Sequence, residues 1–333
     1  MNKDQGLARE NWRTILNRFP SANFLQSPEY GRMNEILGCQ VIIEEFEGAG
    51  WALMIVRNAK RGRYLEIPCG PLIDWANEKA MRDVFRKIGE IGRREKCVFV
   101  RMRPQLIMNP TNSAKLEKLG LKKSPMHLAA EHTVIIDLSL SEEDLLAGMR
   151  RQTRYEVRRA EKLGIVVKTS DSEDDFKEFH RVQLATAKRQ GFVPPSLKAL
   201  LAIREAFGDA AMIYKAVTGE GEPIAYGLVI KDGIEGDYYE AASTDLNRKL
   251  PGAYALLWRA MRDLKAAGCE RFNLWGIAPA GHPEHRYAGV TTFKTGFSDN
   301  VTEFVPAHDM ILSPVKYLKD YIVEAVRKKK RHL

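Results

Sequence analysis

Met149-Arg150-Arg151-Gln152-Thr153-Arg154-Tyr155-Glu156-Val157-Arg158-Arg159-Ala160-Glu161-Lys162-Leu163-Gly164 is the stretch on which the reading of this chain turns. Six of its sixteen residues are Arg or Lys. Met149, Thr153, Val157, Ala160 and Leu163 recur at helical spacing, which predicts an amphipathic helix with most of its arginines on the rim. A solvated charged face explains such a helix as readily as a bound polyanion does. Its position adds information. A strand pattern at 133–138 and a short acidic helix at 141–146 precede it, and a strand pattern at 165–168 follows. It therefore lies at a join between two segments of similar architecture.

Towards the N-terminus, Leu7, Trp12, Ile15 and Leu16 mark an amphipathic helix at 7–18. A loop and a second helix fill 23–38. Strands at 40–46 and 51–56 flank a turn at 47–50, and a strand at 63–67 enters the rigid loop Pro68-Cys69-Gly70-Pro71. A helix at 78–94, a strand at 97–102, a helix at 113–119 and the strand at 133–138 complete this half. Beyond the basic helix the order recurs. Helices span 172–189 and 197–207, and strands at 211–217 and 224–231 form a hairpin around Gly219-Glu220-Gly221-Glu222. A third strand at 234–242, a helix at 252–267 and a strand at 271–275 follow. A loop through 279–283, strands at 301–304 and 308–312, and a last helix at 314–331 close the chain. This order predicts an α/β (α+β) fold of two tandem acetyltransferase-like (GNAT-like) domains with mixed sheets. Residues 1–136 plus 314–333 would form the first and 137–313 the second.

The chain has 333 residues, a hydrophobic fraction of 44% and a formal net charge of +9. That length suits two domains. The basic balance favours a polyanionic partner such as nucleic acid, nucleotide or acidic lipid headgroups. The polar start lacks a signal-peptide pattern, and no run approaches a membrane span of ~18 apolar residues. Cys39, Cys69, Cys97 and Cys269 are scattered, as expected of reduced thiols in a cytoplasmic protein.

Four places carry chemistry. Acyl-CoA-dependent enzymes of this fold cradle pyrophosphate on free amides of a loop that opens a helix. The corresponding stretch is Arg248-Lys249-Leu250-Pro251-Gly252-Ala253, where Pro251 removes a donor. Phe293-Lys294-Thr295-Gly296-Phe297 sets a lysine among aromatics, where a desolvated ammonium can meet a phosphate or a developing oxyanion. An ordinary strand-end lysine would read the same. Asp74 follows a Pro-containing loop and can orient or deprotonate an amine, or simply cap the helix that begins near 75–78. His282 and His285 lack a third ligand, so no metal is expected.

Several segments together resemble the FemABX peptidyltransferases. They are Thr153-Arg154-Tyr155 with Arg158-Arg159-Ala160-Glu161 and Gly164, then Thr186-Ala187-Lys188-Arg189-Gln190-Gly191-Phe192, Leu274-Trp275-Gly276-Ile277 and Phe293-Lys294-Thr295-Gly296-Phe297. In the first half, Phe24-Leu25-Gln26-Ser27 and Ile67-Pro68-Cys69-Gly70-Pro71-Leu72-Ile73-Asp74 agree as well. The resemblance covers nearly the whole chain and matches the short form, without a helical arm.

It implies transfer of an amino acid from aminoacyl-tRNA to an amine of a UDP-linked or lipid-linked peptidoglycan precursor. It implies no cofactor, a monomer and peripheral contact with the inner membrane face. Lys294 would stand near the transferring ester, with Phe293 beside it, and Asp74 would be the loop carboxylate. Arg32 falls where short members place a lysine on precursor phosphate. Arg150, Arg151, Arg154, Arg158 and Arg159 would include tRNA-backbone contacts. Pro195, Ala199, Glu240 and Cys69 depart from the family pattern, which shifts the expected acceptor contacts to Arg189, Tyr239 or Arg248. Two alternatives stand beside this reading: an acyl-CoA N-acyltransferase of the same fold, and a non-catalytic RNA-binding protein.

Overall fold

The structure is a computed structural model that describes residues 12–60, 62–282, 284–285 and 287–330. Residues 12–16 are helical. The elements that follow are α1 (Pro28–Ile36), β1 (Gln40–Glu45), β2 (Gly50–Ala59), β3 (Gly62–Pro68), β4 (Leu72–Ile73), α2 (Glu78–Arg94), β5 (Phe99–Arg103), α3 (Pro110–Lys118), β6 (Lys122–Lys123) and β7 (His132–Asp137). Then come α4 (Glu142–Gly148), α5 (Arg151–Lys162), β8 (Val166–Ser170), α6 (Glu173–Gln190), α7 (Leu197–Phe207), β9 (Ala211–Val217), β10 (Pro223–Asp232), β11 (Glu235–Ser243), α8 (Gly252–Ala266), β12 (Arg271–Gly276), α9 (Ala288–Lys294), β13 (Val301–Glu303), β14 (His308–Ile311) and α10 (Pro314–Lys330). The chain divides into two compact units. Met1–His132, Ala278–Arg286 and Thr302–Leu333 make the first, and Thr133–Ile277 with Tyr287–Val301 the second. Residues 302–313, read from sequence as part of the second half, join the first unit because β14 pairs antiparallel with β5.

The first unit is built on a sheet ordered β1-β2-β3-β5-β14-β6, with β4 paired to β2. Among the described residues only β3 and β5 run parallel in it. Helix α2 lays Met81, Val84, Phe85, Ile88 and Ile91 on this sheet, as its apolar spacing dictates. Gln26 is fully buried. Its amide donates to the carbonyls of Leu53 and Pro68, at 3.1 and 2.7 Å, and accepts from Leu53 N at 2.9 Å. The adjacent Ser27 caps α1 through Tyr30 N at 3.1 Å. The Gln26-Ser27 pair therefore ties the start of α1 to the sheet. Helix α3 begins earlier than its apolar pattern suggests, because Asn109 caps it and Pro110 opens it.

The second unit carries the sheet β13-β7-β12-β11-β10-β9-β8. Leu256, Leu257, Ala260, Met261 and Leu264 of α8 pack against Ala225, Val229 and Tyr238 in its core. Gly252 opens α8 where a Cβ would lie 2.4 Å from Ile224, so no side chain fits there. Helix α9 spans residues to which the sequence pattern assigns no element. Gly289, Thr291 and Thr292 lower its helix propensity, and docking against α5 compensates. Among the described residues no helix is long and apolar enough to cross a membrane.

Candidate active site

In the second unit the parallel pairing of β11 with β12 ends at Asp237 and Asn273. Past that point both strands are irregular. In β11, Tyr238 pairs with Val229 and Glu240 with Leu228, so Tyr239 is an extra residue in a bulge. Tyr238 consequently stays in the core beneath α8, whereas Glu240 turns towards α6 and accepts from Gln183 Nε2 at 2.7 Å. In β12 the register with β7 breaks between Asn273 and Gly276, and Trp275 has φ +62°. A bulky residue holds that conformation only under constraint. Here Asn273 Oδ1 accepts from Trp275 N at 2.9 Å and from Thr133 Oγ1 at 2.6 Å. The Thr133 hydroxyl also reaches Trp275 O at 3.1 Å. The Trp275 ring meets Tyr239 edge-on at 5.6 Å.

Lys294, the last residue of α9, reaches this irregular region. Its Nζ donates to Gly276 O at 2.9 Å and lies 6.0 Å from the Tyr238 ring centroid. Only 7% of the residue is exposed. Burial pulls its pKa from 10.5 down to about 7, against the opposing attraction of Glu240. Lys294 is therefore a helix-end residue and not the strand-end lysine that the sequence allowed. Phe293, Tyr254 and Phe297 interlock at centroid distances of 5.0 to 5.9 Å and hold the helix from behind.

The basic helix α5 is what positions α9. Arg150 N donates to Gly296 O at 2.8 Å, and the Arg150 guanidinium reaches Thr292 O and Thr295 Oγ1 at 3.1 and 3.2 Å. A Cβ on Gly296 would lie 2.2 Å from Thr153 Oγ1. The Thr153 and Gly296 signals thus report one close approach. Arg154 is a helix terminator, donating to the carbonyls of Leu146, Ala147 and Met149 at 3.0, 2.8 and 3.1 Å. Arg159 pairs with Glu156 at 2.9 Å and donates to Lys249 O at 3.0 Å. Arg151 and Arg158 are exposed and make no hydrogen bond or ion pair among the described residues. Those two, with Arg154, Tyr155, Arg159 and Lys162, line an open cleft of about 480 Å³. Of the five arginines expected to face RNA, Arg150, Arg154 and Arg159 are thus committed to backbone carbonyls.

Arg189 and Arg248 come together at the end of β11, 3.8 and 3.7 Å from Asp245. Arg189 also donates to Ser243 O. At the start of α8, Gly252 N is taken by Leu250 O and Ala253 N by Asn247 Oδ1, at 2.9 and 3.0 Å. With Pro251 lacking an N–H, the amides that would cradle a pyrophosphate in an acyl-CoA enzyme are occupied.

Asp74 and Arg32 belong to the first unit. Asp74 is exposed and accepts from Ala76 N at 2.9 Å, an Asx turn. It does not cap α2, since that role falls to Asn77, which accepts from Ala80 N at 3.0 Å. Asp74 lines a cleft of about 520 Å³ with Arg18, Glu45 and Trp51. Arg32 is exposed on α1. Cys69 has φ +55° and its Sγ lies 2.7 Å from the buried guanidinium of Arg103. Among the described residues no group of three or more His, Cys, Asp or Glu is placed to hold a metal.

Residue-type reasoning missed Gly276 O, Tyr238 and Gln183. The Leu274-Trp275-Gly276-Ile277 motif signalled the first, since a Gly after an aromatic at a strand end marks an irregular backbone. Nothing in the sequence marks Gln183.

Comparison with known proteins agrees with this architecture. The FemAB family profile matches residues 7–219 and 214–324. Aminoacyltransferase FemA of Staphylococcus epidermidis is 21% identical over 321 residues, covering 71% of this chain and 77% of that protein. Lipid II:glycine glycyltransferase of Staphylococcus aureus is 24% identical over 211 residues, covering 58% of this chain and 50% of that protein. The crystal structure of FemX superposes with a TM-score of 0.83 at 16% identity, over 95% of this chain and 98% of that one. A tandem GNAT protein from the clavulanic acid pathway shares the fold, with a TM-score of 0.56 at 12% identity over 93% and 96% of the two chains. The chain therefore belongs to the FemAB family, an aminoacyltransferase on a tandem acetyltransferase-like fold.

Proposed function

We propose that this protein transfers an amino acid from aminoacyl-tRNA to an amine on the stem peptide of a peptidoglycan precursor, the step that begins or extends an interpeptide bridge. An ester becomes an amide, so the reaction runs downhill without a cofactor. The acceptor amine attacks the ester carbonyl, negative charge collects on the carbonyl oxygen, and the ribose hydroxyl leaves with a proton. Positioning and charge stabilisation are what a protein must supply.

The observation that carries this reading is Lys294, held at 7% exposure by Gly276 O and Tyr238 at the irregular end of two strands. A desolvated ammonium there can meet the carbonyl oxygen as its charge develops. With its pKa drawn down to about 7, it can also pass a proton at neutral pH. Support for the donor comes from the cleft along α5, where Tyr155 stands among Arg151, Arg158 and Lys162. An aromatic among cations suits stacked bases and phosphates. Arg189 and Arg248 are proposed to meet the acceptor, with Tyr239 beside them. Asp74 is proposed to orient the acceptor amine, and Arg32 to meet precursor phosphate.

The test mixes purified protein with pools of charged tRNA and with UDP-linked or lipid-linked precursors, and follows acceptor mass. Transfer in the wild type and its loss in Lys294→Met, with tRNA binding kept, supports the assignment. Absence of any mass shift with every precursor overturns it. A cellular role that survives Lys294→Met would instead favour a non-catalytic RNA-binding protein.

A further inference from the structure

Helix α10 is two-faced in an unusual sense. Its inward side is anchored by polar groups. Tyr317 packs edge-on against Phe99 at 5.4 Å and donates to Asp309 at 2.8 Å. Glu324 accepts from Arg101 at 2.7 Å, while Arg101 makes a bidentate pair with Asp309 at 2.8 Å for both bonds. Asp320 is 7% exposed. The outward side is apolar. Val315, Leu318, Ile322 and Val326 are 78, 59, 55 and 50% exposed. Their spacing of three, four and four residues sets them in one stripe, opposite Tyr317, Asp320 and Glu324. Tyr321, 41% exposed, lies off one side of that stripe.

The charges sort with the same polarity. Both acidic residues of the helix face inward. Lys319 is exposed on the flank of the stripe, and Lys316 and Arg327 are exposed further round, on the side of Asp320. No acidic side chain of the helix interrupts the outer face. Isolated apolar side chains on a surface need no explanation, but a continuous stripe of four does. A second copy of the chain is a poor occupant, because pairing two such faces would bring the cations of both copies together. A surface that is apolar at depth and anionic at its rim fits both features at once.

We propose that α10 is a docking surface for an acidic-lipid membrane. It lies flat with Val315, Leu318, Ile322 and Val326 entering the acyl boundary and Lys316, Lys319 and Arg327 on the headgroups. At 17 residues and about 1.5 Å per residue the helix offers roughly 25 Å of contact. A single amphipathic helix that presents Lys316, Lys319 and Arg327 as exposed cations gives reversible, salt-sensitive attachment. The surface is assigned from this helix alone and gives the membrane contact that the family resemblance implies a definite place; it holds whichever acceptor the enzyme uses.

The test is co-sedimentation of the full-length chain with vesicles of phosphatidylglycerol in phosphatidylcholine, and with phosphatidylcholine alone. Binding is expected only with the anionic lipid, falling as salt rises. Leu318→Glu with Ile322→Glu should weaken it at least tenfold without lowering the melting temperature, since both side chains are exposed. Each of Lys316→Gln, Lys319→Gln and Arg327→Gln should weaken it about fivefold, from roughly 1 kcal/mol per charge near an anionic surface. No binding to anionic vesicles, or binding unchanged in the double variant, overturns the proposal. A dimer seen in sedimentation equilibrium and abolished by the same double substitution overturns it too, in favour of a second copy.

Discussion

Replacing Lys294 by methionine should make the protein more stable while abolishing transfer. The folded chain buries an amine that the unfolded chain leaves in water. The fall of its pKa from 10.5 to about 7 corresponds to roughly 4–5 kcal/mol, at about 1.4 kcal/mol per tenfold change in proton affinity. Methionine has nearly the same length and carries no desolvation cost. It forfeits the hydrogen bond to Gly276 O, a loss of about 1 kcal/mol. The expected net gain is about 3–4 kcal/mol near pH 6.5.

The sign with pH follows from proton counts. Between about 7 and 10.5 the unfolded chain keeps the proton and the folded chain does not. Wild-type stability therefore rises with pH across that window relative to the variant. The advantage of Lys294→Met is full below pH 7, shrinks to about 1 kcal/mol or less near pH 9.5, and is gone above 10.5. Urea unfolding of both proteins at pH 6.5 and 9.5 measures it, since other titrating groups cancel in the difference. A variant less stable than wild type at pH 6.5, or a gain that ignores pH, would refute the reasoning.

Three further outcomes can be checked. Glu240→Gln removes the charge that opposes the depression of the Lys294 pKa, so the alkaline limb of the pH–rate profile, where the ammonium loses its proton, should move to lower pH; a limb that moves up or stays put contradicts the coupling. Arg151→Ala and Arg158→Ala should each reduce the salt dependence of tRNA binding by nearly one in log–log slope. Arg150→Ala and Arg154→Ala should lower the melting temperature instead, because they lose bonds to backbone carbonyls. Finally, Gly296→Ala should cost about 1–3 kcal/mol by forcing a Cβ onto Thr153, and Thr153→Ala should recover part of that loss, which double-mutant unfolding curves would show as non-additivity.

Much of the architecture could be read from residue order. Apolar spacing defined α2 and α8, β-rich runs flanked by turn residues defined the sheets, and the basic stretch at 149–164 marked a helix, which lies within the second unit and not at a join. Those are local signals, set by side-chain periodicity that each segment carries within itself. Lys294 was singled out in sequence by its aromatic neighbours and the family resemblance, but its place at a helix end was not.

What the basic stretch does was decided only in three dimensions. Arg150, Arg151, Arg154, Arg158 and Arg159 look alike in sequence, yet three of them donate to backbone carbonyls and two face solvent in the cleft. The distinction depends on which carbonyls the neighbouring elements leave unsatisfied beside each guanidinium. Likewise the depressed pKa of Lys294 needs Gly276, Tyr238 and Glu240, from segments more than a dozen residues away. Periodicity along the chain determines which face of an element is buried. Only the packing of distant elements determines which charge loses its water, and with it where chemistry can occur.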